Sequence, residues 1–274
     1  MLKTTNISTV GDLIRAWYKN KVQSGIQKPR TKKNYKNSCK RLMPHLENLS
    51  IHHLSAQEVE KTRIALLKDA AKSTVHSIIQ VLTFAMNWGR EIGIDIPEFT
   101  VQNPKPKPKE KYIPTDKEVE KILEGMDNPF LHFAVTIAWM TGARISEVYG
   151  IKKSDFVQEE GYATVRVDGK TGERNITINP ENWNRIQGLM KDMPSDLFGN
   201  RGTSNESTKL GKISKAVLGE RKCFTFQALR KLRSKTLVMR NMPMSKYQDE
   251  MGHSYKTAMK HYAKFREVEV LKYV

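Results

Sequence analysis

Apolar residues recur with a helical period along the first hundred positions. Val10, Leu13, Ile14 and Trp17 form one i, i+3, i+4, i+7 stripe. Tyr35, Cys39, Leu42, Met43 and Leu46 form a second. Ser55-Ala-Gln-Glu58 has the spacing of a capping box and predicts a helix running through Val59 and Leu66. Val75, Ile78, Ile79, Leu82, Met86 and Trp88 complete a fourth stripe. The pattern predicts a bundle of about four short-looped helices whose Trp and Met positions belong to its core.

The period breaks at Pro97–Pro114, where Lys and Pro alternate from Pro104 to Lys109. Proline removes a backbone donor and fixes φ, so this stretch reads as an extended connector between two domains. The expected boundaries are 1–102 for a helical domain, 103–114 for the linker and 115–274 for a second domain. Thr115-Asp-Lys-Glu118 opens a helix through Val119, Ile122, Leu123 and Met126, and an apolar helix follows from Phe130 to Met140. Tyr162–Val167 and Arg174–Ile178 alternate like strands around an Asp168–Gly172 turn. Further helices are predicted over Pro180–Lys191, Lys209–Leu218, Phe224–Arg240, Pro243–Met251 and Ser254–Phe265. The fold class is mainly α, with one small antiparallel β element in the second domain.

Charge changes the picture from any soluble helical protein to one that meets a polyanion. The 274 residues hold 47 Lys and Arg against 29 Asp and Glu, a formal net charge of +18. That excess is +8 in 1–102, +3 in 103–111 and +7 in 112–274, so it lies along the whole chain. A nucleic-acid surface built by both halves is the simplest reading; a merely basic protein is the bland one. Arg30, Lys32, Lys33 and Lys36, at a helix start, and Lys105, Lys107 and Lys109, in the linker, are candidate phosphate contacts or else solvated faces. Two distant cysteines, Cys39 and Cys223, argue against a disulfide framework or thiolate zinc site, and His52-His53 has no further ligands at zinc spacing. No apolar run reaches the roughly 18 residues of a membrane span, and MLKTTNISTVGD holds no export signal, so a cytoplasmic, nucleoid-associated protein is expected.

Four polar islands remain. They are Thr141-Gly-Ala-Arg144-Ile-Ser-Glu147, Asp168-Gly-Lys170-Thr-Gly-Glu-Arg174, Gln227-Ala-Leu-Arg230, and Met251-Gly-His253 with Tyr262 nine residues after the histidine. Each has an innocent reading: a helix-end arginine, a solvated hairpin lysine, a core tyrosine with a wet hydroxyl. In this order the set resembles the tyrosine recombinase/phage integrase family, over about residues 115–265, and more the simple recombinases of the Cre and Xer type than the larger lambda-like integrases. The resemblance implies a core-binding domain and a catalytic domain that clamp DNA. It implies Tyr262 as nucleophile, Arg144, Arg230 and His253 as phosphate-binding groups, and Lys170 as general acid. No cofactor or metal is implied. Double-stranded recombination sites would be the substrate and a homotetramer the synaptic assembly, with an accessory DNA-bending or directionality factor and a C-terminal tail docked on a neighbouring protomer.

Elementary chemistry agrees with that assignment. A tyrosine phenolate can hold a phosphoryl group as an ester and so conserve the phosphodiester bond energy. Two guanidinium forks suit the charge that gathers on the equatorial oxygens. One position departs from the family pattern: Gln227 stands where the resemblance implies a histidine acting as base. An amide can hydrogen-bond but cannot take a proton near neutrality. The substitution is read as tolerated variation, with a slow or partner-dependent enzyme, or a protein that binds DNA without cutting it, as alternatives. His261 is a conceivable substitute, but helical neighbours diverge by about 100°, which argues against its reaching the Tyr262 proton. A type IB topoisomerase or telomere resolvase would share the same chemistry.

Overall fold

The computed structural model describes residues 7–270, save 104, 108–110, 170–171, 200 and 204, and save the side chains of 262, 264 and 266–270. The chain divides into two compact units, Met1–Lys109 and Glu110–Val274.

The first unit packs helices α1 (Val10–Gln23), α2 (Pro29–Leu46), α3 (Ala56–Asp69) and α4 (Lys72–Glu91). A reciprocal cap starts α1: the Thr9 hydroxyl accepts from the Asp12 amide at 3.1 Å, and the Asp12 carboxylate accepts from the Thr9 amide at 3.3 Å. All four residues of the first stripe are buried, as are Cys39, Leu42 and Leu46 of the second and most of the fourth. The box expected at Ser55 forms only by half. Its hydroxyl accepts from the Glu58 amide, but the Glu58 carboxylate turns to the Lys61 ammonium at 2.6 Å, a stronger partner on an exposed first turn. Asn103 donates to the His76 carbonyl at 2.9 Å, so the chain leaves this unit fastened to α4.

The second unit opens with α5 (Asp116–Glu124) and α6 (Pro129–Thr141). Thr115 and Glu118 cap α5 reciprocally, and Glu118 also accepts from Tyr112 at 2.6 Å and Lys222 at 2.7 Å. Helix α6 is apolar on every side because it runs through the core, with Phe133, Ala134, Val135, Ile137 and Ala138 inaccessible. A short helix α7 (Ile145–Val148) leads to a three-stranded antiparallel sheet, β1 (Phe156–Glu159), β2 (Tyr162–Gly169) and β3 (Gly172–Ile178), in the order β1-β2-β3. Val165 pairs with Phe156 on one side and Ile176 on the other; Ala163, Val165, Val167, Ile176 and Ile178 make its buried face. The hairpin follows the alternation in the sequence. Strand β1 was not anticipated, since four residues with three exposed carry no period.

Helices α8 (Pro180–Met190), α9 (Glu206–Leu218), α10 (Phe226–Met239), α11 (Met244–Met251) and α12 (Tyr255–Val270) complete the unit. Helix α10 begins two residues later than expected because the Phe224 amide is taken by the buried Ser214 hydroxyl at 3.0 Å. Helix α12 runs past the expected end at Phe265. Phe265 packs within its own chain, in a small core with Leu237, Val238, Tyr247, Met251 and Ala258. Among the described residues no helix is long and apolar enough to cross a membrane.

Helices α1 and α2 meet without room for a side chain at Gly11: a Cβ there would lie 2.6 Å from the Glu47 carbonyl oxygen and 2.9 Å from its Cα. Gly11→Ala is therefore expected to destabilise the chain by about 1–3 kcal/mol, read from urea unfolding with an unchanged m value.

Candidate active site

The polar islands of the second unit converge because three chain reversals bring their residues together. Helix α6 ends at the left-handed Gly142, φ 68°, and the chain turns at once so that Arg144 caps α7. Helix α11 ends at the left-handed Gly252, which places His253 in the turn before α12. The β2–β3 hairpin brings Arg174 back beside both. Helix α10 supplies Gln227 from its first turn and Arg230 from its second.

A buried carboxylate holds these pieces. The Glu147 side chain is wholly inaccessible and receives the Arg144 amide at 2.8 Å and the Arg144 guanidinium at 2.6 Å. Arg174 clasps the same carboxylate through both terminal nitrogens, at 3.1 and 2.8 Å, and donates its Nε to the Glu250 carbonyl at 3.1 Å. Burial alone would raise the Glu147 pKa, but the bonds from Arg174 and Arg144 outweigh it and hold the carboxyl at about 2. Gly169 lies against this carboxylate so closely that any Cβ there would collide with Oε1. The hairpin can therefore approach only as glycine.

Arg230 points the other way along the same seam, donating to the Gly142 carbonyl at 2.7 Å and to the Met251 carbonyl. Arg144 reaches the Gly252 carbonyl at 3.2 Å. Burial and the neighbouring Arg144 lower the Arg230 pKa to about 10, which leaves it charged at neutrality. His253 is pushed down to about 3 by burial first and then by Arg230, His261, Arg144 and Arg174, so its imidazole is neutral at pH 7. Its ring meets the Tyr247 edge at 5.8 Å and stacks on His261 at 5.1 Å with 14° between planes.

These groups open onto a cavity of about 540 Å³ lined by Arg144, Gln227, Arg230, Lys231, His253 and His261, together with Thr225, Ser254 and Thr257 at the starts of α10 and α12. Among the described residues no carboxylate lines it. Helix N-termini and guanidinium forks both favour an anion. Among the described residues no three His, Cys, Asp or Glu side chains cluster as metal ligands would.

The structure thus brings Arg144, Arg230, His253 and Gln227 to one cavity. Lys170 and Lys109 lie outside the described residues, as does the Tyr262 side chain; the Tyr262 backbone follows His261 on α12. Arg30, Lys33 and Lys36 are exposed on the first turns of α2, with Lys32 half-buried against the Val22 carbonyl at 3.4 Å, and Lys105 and Lys107 are exposed. All six belong to the first unit. Glu147 and Arg174 stand inside the islands read from the sequence but had no role there. Their pairing joins residues 27 apart, which no local period reveals.

The model of the phage integrase family matches residues 114–268. No curated protein sequence matches the chain. Solved structures with a similar fold include a lambda integrase dimer bound to a COC′ core site, at TM-score 0.76 and 19% identity over 93% of this chain and 77% of that one. The Tn1549 transposon integrase in complex with transposon right end DNA aligns at TM-score 0.75 and 19% identity, over 96% and 99%. The XerH site-specific recombinase bound to a palindromic difH substrate aligns at 0.65 and 14%, over 99% and 97%.

Because the folded-state pKa of Glu147 lies below its ordinary 4.5, its contribution to stability is complete above that value and disappears as the pH falls toward 2. Glu147→Gln is expected to cost roughly 3 kcal/mol at pH 7 and progressively less below pH ~4.5. Urea unfolding of both proteins across that range measures the difference.

Proposed function

The chain belongs to the phage integrase family of tyrosine recombinases, and we propose that it is a site-specific DNA recombinase that cuts and rejoins strands through a 3′-phosphotyrosine at Tyr262. The observation that carries this reading is the convergence of Arg144, Arg230 and His253 on one cavity that, among the described residues, no carboxylate lines.

In the proposed reaction the scissile phosphate enters that cavity and accepts from the two guanidinium forks. Its anionic charge offsets the repulsion among Arg144, Arg174 and Arg230; burial, and then that same positive charge, keep His253 neutral. A neutral imidazole still has one N–H to give to a non-bridging oxygen. The Tyr262 phenol oxygen attacks phosphorus, the P–O5′ bond breaks, the phenol loses its proton, and Lys170 protonates the departing 5′ oxygen. The free 5′ hydroxyl of the partner strand then reverses the same steps, so no external energy source enters. The charges that hold the phosphate are strongest in the transition state, where its equatorial oxygens are most negative.

Double-stranded DNA is the proposed partner and a homotetramer the proposed assembly. The similar lambda integrase structures, a dimer on a core site and a tetramer on a Holliday junction, support both. Arg30, Lys32, Lys33, Lys36, Lys105, Lys107 and Lys109 would contact backbone phosphates without regard to sequence. The reading of a DNA-binding protein that does not cut rests on Gln227, whose amide meets the Lys111 ammonium at 3.5 Å and cannot act as a base.

Incubation with a nicked suicide substrate carrying the recombination site separates these readings. A covalent protein–DNA adduct is expected from the native chain and none from Tyr262→Phe; tight specific binding with no adduct from either would establish the non-cutting reading. Arg230→Lys is expected to slow adduct formation by about 10²–10³-fold while changing affinity only a few-fold. Binding itself should weaken steeply between 50 and 200 mM salt, on the order of 10³-fold, as expected when many phosphates are neutralised; a flat salt response in a filter-binding assay would rule out the proposed electrostatic surface.

A further inference from the structure

The cavity contains a second imidazole that the family resemblance does not assign. His261 lies one residue before Tyr262 on α12, yet its ring turns inward, stacking on His253 at 5.1 Å and on the buried Phe265 at 6.0 Å. It lines the same cavity as Arg144, Arg230 and Gln227. Among the described residues lining that cavity, His253 and His261 are the two whose side chains ordinarily titrate near neutrality; the others are arginine, lysine, amide, hydroxyl or apolar groups. His253 is committed to the phosphate, and its Nδ1 is buried without a hydrogen-bond partner. Gln227 cannot accept a proton.

We propose that His261 is the proton acceptor for the Tyr262 nucleophile, doing in this chain what Gln227 cannot. The inference rests on the recombinase reading and deepens it. The divergence of consecutive helical residues does not forbid the transfer. To attack, the phenol oxygen must come within about 3–3.5 Å of phosphorus. Phosphorus must in turn lie among Arg144, Arg230 and His253, and the His261 ring is stacked on the last of these. Nucleophile and imidazole therefore meet at the phosphate and not along the helix surface. During cleavage the phenol O–H bond breaks and its proton passes to the imidazole as the P–O bond to Tyr262 forms. The P–O5′ bond breaks with its electron pair on O5′, which takes a proton from the general acid. On resealing, the imidazolium returns its proton to the departing phenolate.

Among the described residues, charged and titratable groups share the cavity with this ring from three packed segments. Arg230 and Lys231 come from α10, Arg144 from the start of α7, and His253 from the turn after α11. Arg174 and Glu147 lie behind Arg144, while Tyr247 lies behind His253.

His261→Phe keeps the stacked column and removes the proton acceptor; His261→Gln keeps a polar group and serves as a second variant should the first fold poorly. Adduct formation on the suicide substrate is expected to fall by about 10²-fold in both, in line with the usual contribution of a general base. The loss should persist on a substrate whose scissile link is a 5′-bridging phosphorothiolate, because a thiolate leaves without an acid while the phenol must still be deprotonated. Gln227→His should raise cleavage at least about tenfold more in the His261→Phe background than in the native chain, the coupling expected if the two positions serve one step. Native rates in His261→Phe, recovery on the phosphorothiolate, or equal gains from Gln227→His in both backgrounds would each overturn the proposal. Absence of any adduct from the native chain would instead overturn the recombinase reading, and this one with it.

Discussion

The carboxylate of Glu147 is the constraint on which the site depends. Two arginines and two imidazoles line one cavity, with a third arginine, Arg174, behind Arg144, and like charges gathered in a partly dehydrated interior repel one another. One fully buried carboxylate, clasped by Arg144 and Arg174, offsets part of that repulsion, and backbone carbonyls at Gly142, Met251 and Gly252 accept from Arg230 and Arg144. Remove the carboxylate and two guanidiniums lose their shared partner. The hairpin, the start of α7 and the end of α11 would then lose the contact that joins them.

The neutralisation is incomplete, and the remainder is functional. Arg230 has no carboxylate partner among the described residues; its hydrogen bonds go to carbonyls, which orient the fork without cancelling its charge. Burial first, and then this surplus of positive potential, keeps His253 neutral. Under the proposed function, a bound phosphate would supply the charge that the protein withholds.

Much of the fold was legible in the sequence because burial there follows simple periods. The stripe from Val10 to Trp17 and the alternation of Ala163, Val165 and Val167 are buried as their spacing implies. Misses fall where local signals compete with a tertiary partner. Glu58 chose Lys61 over its cap, Phe224 lost its place in α10 to Ser214, and β1 became a strand only because β2 lay beside it. In the site, Arg144, Arg230, Gln227 and His253 were found by the order and spacing of their islands. Arg174 and Glu147 were not, since each is intelligible only with the other present. That the His261 ring turns into the same cavity could not be read from its position on one helix.

The chain's own residues determined a mainly helical, strongly basic protein in two parts, with an ordered set of polar islands in the second. Those properties are local or additive, so composition, period and spacing carry them. Which groups share a charge, which imidazole is neutral and which two imidazoles stack were decided only when α6, α7, the hairpin, α10, α11 and α12 were packed together. Electrostatic coupling and desolvation depend on distances between residues far apart in sequence, and only the folded chain sets those distances.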